Sequence, residues 1–286
     1  MQIEQTLSCP EAESEASVVK YEDARVVKCN IQGGHGQAVQ VNHLAEGVRL
    51  GLEGELEKRS EILGRNAIWK SSSRIDRLPK YLVVQFMRFF FKATPDNPDH
   101  QGVKCKMMRP VTFNEQIDMF EFCSTRLQGI LKIGRDKAIA EEDARIAAKQ
   151  KEAESSSSSS SSNKMTDAAD VPPPAPKNDD DDKMEEDDDE AALKAAMEMS
   201  TAEVAPSAGL GLPVDFQGKY ELFAVVTHKG RDSDGGHYMG WVRQSGDNWC
   251  VFDDDEVSPC KTEDILQLKG GGDHDMAYLN FYRALE

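Results

Sequence analysis

Residues 235–255, Gly-Gly-His-Tyr-Met-Gly-Trp-Val-Arg-Gln-Ser-Gly-Asp-Asn-Trp-Cys-Val-Phe-Asp-Asp-Asp, decide how this chain is read. Tyr238, Val242, Trp249, Val251 and Phe252 are strand formers. Gln244-Ser245-Gly246-Asp247 between the two apolar runs has turn chemistry, with Gly246 free to take positive φ. The stretch predicts an antiparallel hairpin. With the turn centred on Ser245-Gly246, His237 faces Asp254 and Tyr238 faces Asp253, and opposed side chains come within about 5 Å of each other. A carboxylate there can accept the imidazole Nδ1 proton, hold one tautomer and stabilise an imidazolium. Spacing leaves Asp253 and Asp254 as alternatives, because a one-residue bulge exchanges them. A solvated acidic turn on an edge hairpin fits the same pattern.

Composition limits what such a hairpin can serve. The chain has 286 residues, room for one or two domains, and a net charge of −17. Sixteen acids and five bases fall in residues 151–205, so that segment carries most of the charge. Phosphate contacts need clustered Lys and Arg, so a nucleic-acid partner is not expected. No stretch approaches 18 apolar residues, which argues against a membrane partner, and Met1-Gln2-Ile3-Glu4 does not open a signal peptide. Six scattered cysteines without CxxC spacing argue against a disulfide scaffold and against a zinc site. A reducing compartment, cytoplasm and nucleus, is expected. Asp253-Asp254-Asp255 lacks a spaced fourth ligand, and Gly270-Gly271-Gly272 lacks a following Lys-Ser or Lys-Thr. Neither a metal nor a cofactor is therefore expected.

Further from the hairpin, Ile3 to Leu7 and Ala24 to Ile31 read as strands, with an acidic linker from Glu11 to Glu15 between them. Residues 41–60 read as a helix with Leu44, Val48, Leu52 and Leu56 on one face. Leu82 to Phe91 is a near-continuous apolar run, as in a strand buried on both faces. Lys92 to Gly102 is a Pro- and Asn-containing loop in which His100 is an exposed residue. Asp136 to Glu154 is helix-forming. Ser155 to Ser162, Pro172 to Pro174 and Asp179 to Asp182 cannot bury enough apolar surface to offset their ordering entropy. Residues 141–212 are thus expected to be a disordered acidic, Ser-rich linker between a first part, 1–140, and a closing part, 213–286.

Gly235-Gly236-His237-Tyr238, the following strand, Trp249 and Phe252-Asp253-Asp254-Asp255 together resemble the histidine box of the ubiquitin-specific proteases, which are cysteine-dependent deubiquitinases. Arg77-Leu78-Pro79-Lys80-Tyr81-Leu82-Val83-Val84-Gln85-Phe86-Met87-Arg88-Phe89 and Ala277-Tyr278-Leu279-Asn280-Phe281-Tyr282 are similar to that family's core and closing strands, in the family's order. Arg65-Asn66-Ala67, Arg88 to Lys92, Thr227 to Arg231 and Gly270 to Asp273 resemble its proteasome-associated branch. The resemblance spans nearly the whole chain except about residues 140–210. It implies an α+β, papain-like fold of palm and fingers, mostly antiparallel sheet with helices, lacking the thumb half. It implies ubiquitin and ubiquitinated proteins as partners, and the 26S proteasome by the same branch.

For the site, the resemblance makes His237 the general base and then acid, and selects Asp253 over Asp254 as its orienter. Gly235, Gly236 and Tyr238 would border the channel for the ubiquitin tail, and His228 would open a movable lid running to Gly235. The family takes its nucleophile from an Asn-x-x-Cys box that opens a helix. Cys9, Cys29, Cys105, Cys123, Cys250 and Cys260 all lie in other contexts. No nucleophile is therefore expected in this chain, which would be inactive alone. A non-catalytic ubiquitin-binding or regulatory fragment is the alternative.

Within the linker, Asp187-Asp188-Asp189-Glu190 followed by Leu193, Ala196, Ser200 and Glu203 resembles a ubiquitin-interacting motif. Leu193, Ala196, Met197 and Ser200 would share one face of a helix at 187–203, with acids at its N-terminus.

Overall fold

The computed structural model describes residues 1–32, 40–92, 103–157, 207–230, 235–272 and 274–285. The chain runs β1 (Gln2–Ser8), β2 (Val18–Asp23), β3 (Val27–Asn30), α1 (Leu44–Leu52), β4 (Glu53–Arg59), β5 (Asn66–Arg77), β6 (Tyr81–Met87), β7 (Phe89–Lys92), β8 (Val103–Lys106), β9 (Gln116–Asp118), α2 (Thr125–Ser157), β10 (Lys219–Lys229), β11 (His237–Ser245), β12 (Asn248–Asp253), β13 (Glu256–Lys261), α3 (Thr262–Gln267) and β14 (Met276–Ala284). It divides into two compact units, Met1–Asp136 with Ser207–Glu286, and Lys137–Pro206.

The first unit holds the sheets. A four-stranded sheet is ordered β2-β1-β5-β4 and is antiparallel throughout. An eight-stranded sheet is ordered β13-β12-β11-β10-β14-β6-β3, with β9 joined to β10. Within it the β3–β6 pair alone is parallel. β7 and β8 form a separate two-stranded ribbon.

The core follows from strand alternation. Leu82, Val84 and Phe86 on β6 point inward and are fully buried, while Tyr81, Val83 and Gln85 remain at least partly accessible. α1 covers this layer. His43 Nδ1 caps the helix by accepting the Ala45 N–H, and Glu46 accepts from the backbone of Asn42 and His43. Leu44, Val48 and Leu52 are buried, each adding about 1.5–3 kcal/mol by leaving water. Gly47 and Gly51 set the closeness of α1 to β3, because a Cβ at Gly47 would strike Cys29 Sγ and one at Gly51 the Lys28 carbonyl. Leu127, Ile130 and Leu131 at the start of α2 complete the core. The four-stranded sheet has its own small core of Leu7, Cys9, Ala12, Ala67 and Trp69. In the second unit, α2 beyond Lys137 carries exposed Ile139 and Ile146 and the ion pairs Lys137–Glu141 and Arg145–Glu142.

Several expectations need correction. The helix ends at Leu52 rather than near residue 60. Leu56 belongs to β4, whose Glu53 to Arg59 pair with Ser72 to Asn66 of β5. Strand pairing overrode a helical spacing that Leu56 happened to continue. The apolar run from Leu82 to Phe91 is two strands broken at Arg88. The Arg88 guanidinium is buried and donates to the carbonyls of Ala277, Met107, Arg109 and Lys269. The second expected strand is shorter, Val27–Asn30, and β2 precedes it. The expected linker of 141–212 includes described structure at both ends. Residues 141–157 continue α2, and Ala208 and Leu212 are buried, with the Leu78 N–H donating to the Ala208 carbonyl. Cys260 lies in β13.

Candidate active site

Strands β10 to β13 form an antiparallel meander that carries His237 and Asp253. The β11–β12 turn is Gly246-Asp247, with Gly246 at φ 51°, and a bulge lies between Arg243 and Ser245. Gly240 pairs with Phe252 and Trp241 with Val251. The register is one residue away from that of a turn centred on Ser245-Gly246. The reason lies at Asp247, whose Oδ1 accepts the Thr262 N–H at 3.2 Å and fastens the turn to the start of α3. Trp249 Nε1 donates to Thr262 Oγ1 at 3.0 Å beside it.

This register decides between the two carboxylates. Carried one pair beyond Gly240–Phe252, it sets Met239 opposite Asp253. His237 lies two residues before Met239, on the same face, and so meets Asp253 as a diagonal neighbour. Asp254 instead opens the next turn with φ 53°, between the paired Asp253 and Glu256. His237 Nε2 is hydrogen-bonded to Asp253 Oδ1. The nitrogen differs from the Nδ1 expected of a directly opposed pair. Engagement of Nε2 leaves Nδ1 as the nitrogen whose lone pair can take a proton. Both side chains are about half exposed. The Asp253 hydrogen bond raises the His237 pKa above the ordinary imidazole value, and the charges of Asp253, Asp254 and Asp275 add to it.

His237, Asp253 and Asp254 each place one ligand-type atom within 4.8 Å of the others. His237 Nε2 is bonded to Asp253, so the geometry is that of a His–carboxylate couple beside a turn acid, and no metal is assigned to it.

Across the β10–β11 pair, His228 faces Tyr238 and Lys229 faces His237. The sequence placed His228 on a movable lid. The structure puts it within β10, 1% exposed, with its Nδ1 2.8 Å and its carbonyl 2.6 Å from Lys106 Nζ. Its ring stacks edgewise on Phe89 and Tyr238, at centroid distances of 5.3 and 4.7 Å. Tyr278 completes this aromatic cluster 5.5 Å from Phe89, and its hydroxyl accepts from Gln85 at 2.9 Å. Burial and the Lys106 charge lower the His228 pKa. Burial lowers that of Lys106 to about 8. Lys106, Phe89 and Tyr278 were not singled out from sequence, and nothing in Val103-Lys104-Cys105-Lys106 distinguishes its second lysine from the first. Gly235 and Gly236 immediately precede β11, and the middle of the expected lid, 231–234, falls outside the described residues. So do His100 and the linker motif with Leu193, Ala196, Met197 and Ser200.

The thiols are elsewhere. Cys29 and Cys123 are buried, donate to the Leu44 and Met119 carbonyls, and are pushed up to about 12 by burial. Cys9 belongs to the small core, and Cys105, Cys250 and Cys260 sit within strands.

A mostly antiparallel sheet that carries a His–Asp couple, with helices and a separate small sheet, makes an α+β domain, and the family match below gives it papain-like architecture. The chain belongs to the ubiquitin carboxyl-terminal hydrolase family, whose model matches residues 1–282. It is 37% identical over 282 residues to ubiquitin carboxyl-terminal hydrolase 6 of Arabidopsis thaliana, covering 99% of this chain and 51% of that protein. It is 32% identical over 293 residues to ubiquitin carboxyl-terminal hydrolase 14 of Caenorhabditis elegans, covering 99% and 49%. The chain therefore spans about half the length of the curated relatives it matches. The fold is similar to that in the structure of the SAGA Ubp8/Sgf11/Sus1/Sgf73 DUB module bound to ubiquitin aldehyde. That likeness has a TM-score of 0.52 and 18% identity, over 100% of this chain and 41% of the other.

Proposed function

We propose that this chain carries the base and its orienter for a cysteine-type deubiquitinase, and that none of its own six thiols is the nucleophile. The observation that carries the reading is the Nε2 bond from His237 to Asp253, which leaves Nδ1 for a thiol proton. In the proposed reaction, His237 Nδ1 takes the proton of a cysteine that these residues do not supply. The thiolate attacks the carbonyl carbon of ubiquitin's last glycine. The imidazolium, stabilised by Asp253, gives its proton to the leaving lysine amine as the C–N bond breaks. Water, deprotonated by the same nitrogen, then attacks the thioester carbonyl carbon; the C–S bond breaks, ubiquitin leaves with a free carboxyl group, and the sulfur takes back the proton from the imidazolium. Gly235, Gly236 and Tyr238 precede or follow His237 directly and would border the tail of ubiquitin. The burial of Cys9, Cys29 and Cys123 argues against those three as the nucleophile, since a reactive thiol needs exposure.

The proposal extends to a second ubiquitin contact through Leu193, Ala196, Met197 and Ser200, which rests on the sequence pattern. Action at the 26S proteasome, in cytoplasm and nucleus, rests on resemblance to the proteasome-associated branch.

The test is reaction of the purified chain with ubiquitin bearing a C-terminal electrophile, read by mass spectrometry. No covalent adduct is expected. An adduct mapped to any of the six cysteines would overturn the assignment of the nucleophile. Binding of unmodified ubiquitin, followed by shifts at Gly235, Gly236 and Tyr238 in NMR spectra, is expected in the same sample. Its absence would remove the substrate assignment.

A further inference from the structure

The lysine–imidazole pair beside the Gly235-Gly236 turn has no place in the chemistry described so far. Lys106 and His228 are both buried, at 7% and 1% exposure, and belong to strands far apart in sequence. Lys106 Nζ holds His228 twice, at the ring Nδ1 and at the backbone carbonyl. An ammonium can only donate, so Nδ1 is the acceptor and the imidazole proton resides on Nε2. Among the described residues that nitrogen is buried without a full hydrogen bond, although the Gly235 carbonyl lies close enough to favour its proton. Phe89 and Tyr238 close on the ring from two sides.

The ring is the surface on which the chain leading to His237 rests. Gly236, the residue before His237, has φ 137°, and a Cβ there would strike His228 Nε2 and the Lys229 carbonyl. Gly230 comes so close to the same turn that a Cβ on it would lie 3.1 Å from Gly236 Cα and 3.3 Å from the Gly235 carbonyl oxygen. The backbone at residue 236 thus fits one place, against the imidazole. The charged groups that act on His228 are Lys106 and Asp275, and Arg88 acts on Lys106. Asp275 Oδ1 is itself buried without a hydrogen-bond partner among the described residues.

We propose that His228, locked by Lys106, is a positioning residue for His237: it seats the Gly235-Gly236 turn and so fixes which nitrogen His237 presents to Asp253. His228 touches no reacting atom and acts through the turn. The inference rests on the reading of His237 as the base, but its test involves no ubiquitin, so the two fail separately.

The experiment is nitrogen-detected NMR of the histidine rings of the whole chain, with melting temperatures recorded alongside. Wild type is expected to show His237 as a single Nε2–H tautomer bonded to Asp253. His228→Phe keeps the ring packing and loses both nitrogens, and Lys106→Met releases the lock. Both are expected to give mixed His237 tautomers. His228→Gln supplies an acceptor for Lys106 and an N–H toward Gly235, and is expected to restore the single tautomer. A purely structural role would lower the melting temperature of His228→Phe and leave the His237 signals of the folded fraction unchanged, which would overturn the proposal. If His228→Phe does not fold, wild-type His237 signals in Lys106→Met overturn it equally. Failure of His228→Gln to differ from His228→Phe would also count against it.

Discussion

His237 and His228 are neighbours across one β-ladder with opposite environments. His237 stands half exposed beside a carboxylate, and its affinity for a proton is raised. His228 lies buried beside an ammonium, and its affinity is lowered. The same side chain is made ready for charge at one position and kept neutral at the other. What a histidine does here is set by burial and by the sign of its nearest partner, not by its local sequence. The glycines show the same division. Gly236 is pressed against His228, whereas a Cβ on Gly235 would meet nothing within 4 Å.

The largest expected effect breaks this arrangement at the backbone. Gly236→Ala forces a side chain into a φ that L residues rarely adopt and into His228 and the Lys229 carbonyl, at a cost of about 3 kcal/mol. Gly235→Ala is expected to fall within about 0.5 kcal/mol of wild type. Urea denaturation of the two variants measures both. Equal stabilities would mean that the turn does not rest on His228.

A smaller effect comes from pH, and the two histidines contribute with opposite signs. His228 has a lowered folded-state pKa, so the unfolded chain takes up the proton first, and its contribution to stability, fully present above the ordinary imidazole value, is lost as pH falls through the lowered one. His237 has a raised folded-state pKa, so its contribution is fully present below the ordinary imidazole value and is lost as pH rises through the raised one. Denaturation curves of His228→Gln should lose part of the wild-type acid sensitivity. Those of His237→Gln should become more acid-sensitive than wild type. The same sign in both variants would remove the contrast.

Much of this was legible in the sequence, for identifiable reasons. The hairpin could be read because strand formers flank Gly246, and the His–Asp pairing because the strands place the two in reach. The register could not, because nothing in Arg243-Gln244-Ser245 marks a bulge, and the turn is placed by Asp247 reaching Thr262 in another element. The end of α1 was hidden because Leu56 continues the helical spacing while its backbone pairs with β5. The setting of His228 was hidden most completely. Lys106 and Phe89 come from different strands, and only tertiary packing makes them neighbours of one imidazole, with Tyr278 of a third strand packed behind Phe89.

The smallest effects rank the three acids around His237. Asp253 acts by hydrogen bond and by charge, while Asp254 and Asp275 act by charge alone, and more weakly. Asp254 is turned away by the φ 53° that opens the next turn, so its carboxylate shares the neighbourhood of the imidazole without sharing its proton. Charge between exposed groups is screened by water and salt, whereas a hydrogen bond is made or lost. NMR titration of His237 should therefore show a clear fall in midpoint for Asp253→Asn, together with loss of the single tautomer. Asp254→Asn should lower the midpoint less and keep the tautomer, and Asp275→Asn should lower it least. Added salt should shrink the Asp254 effect and leave most of the Asp253 effect in place. If Asp254→Asn instead matched Asp253→Asn in both midpoint and tautomer, the diagonal geometry would lose its claim, and the directly opposed pairing first suggested by the turn residues would have to be restored.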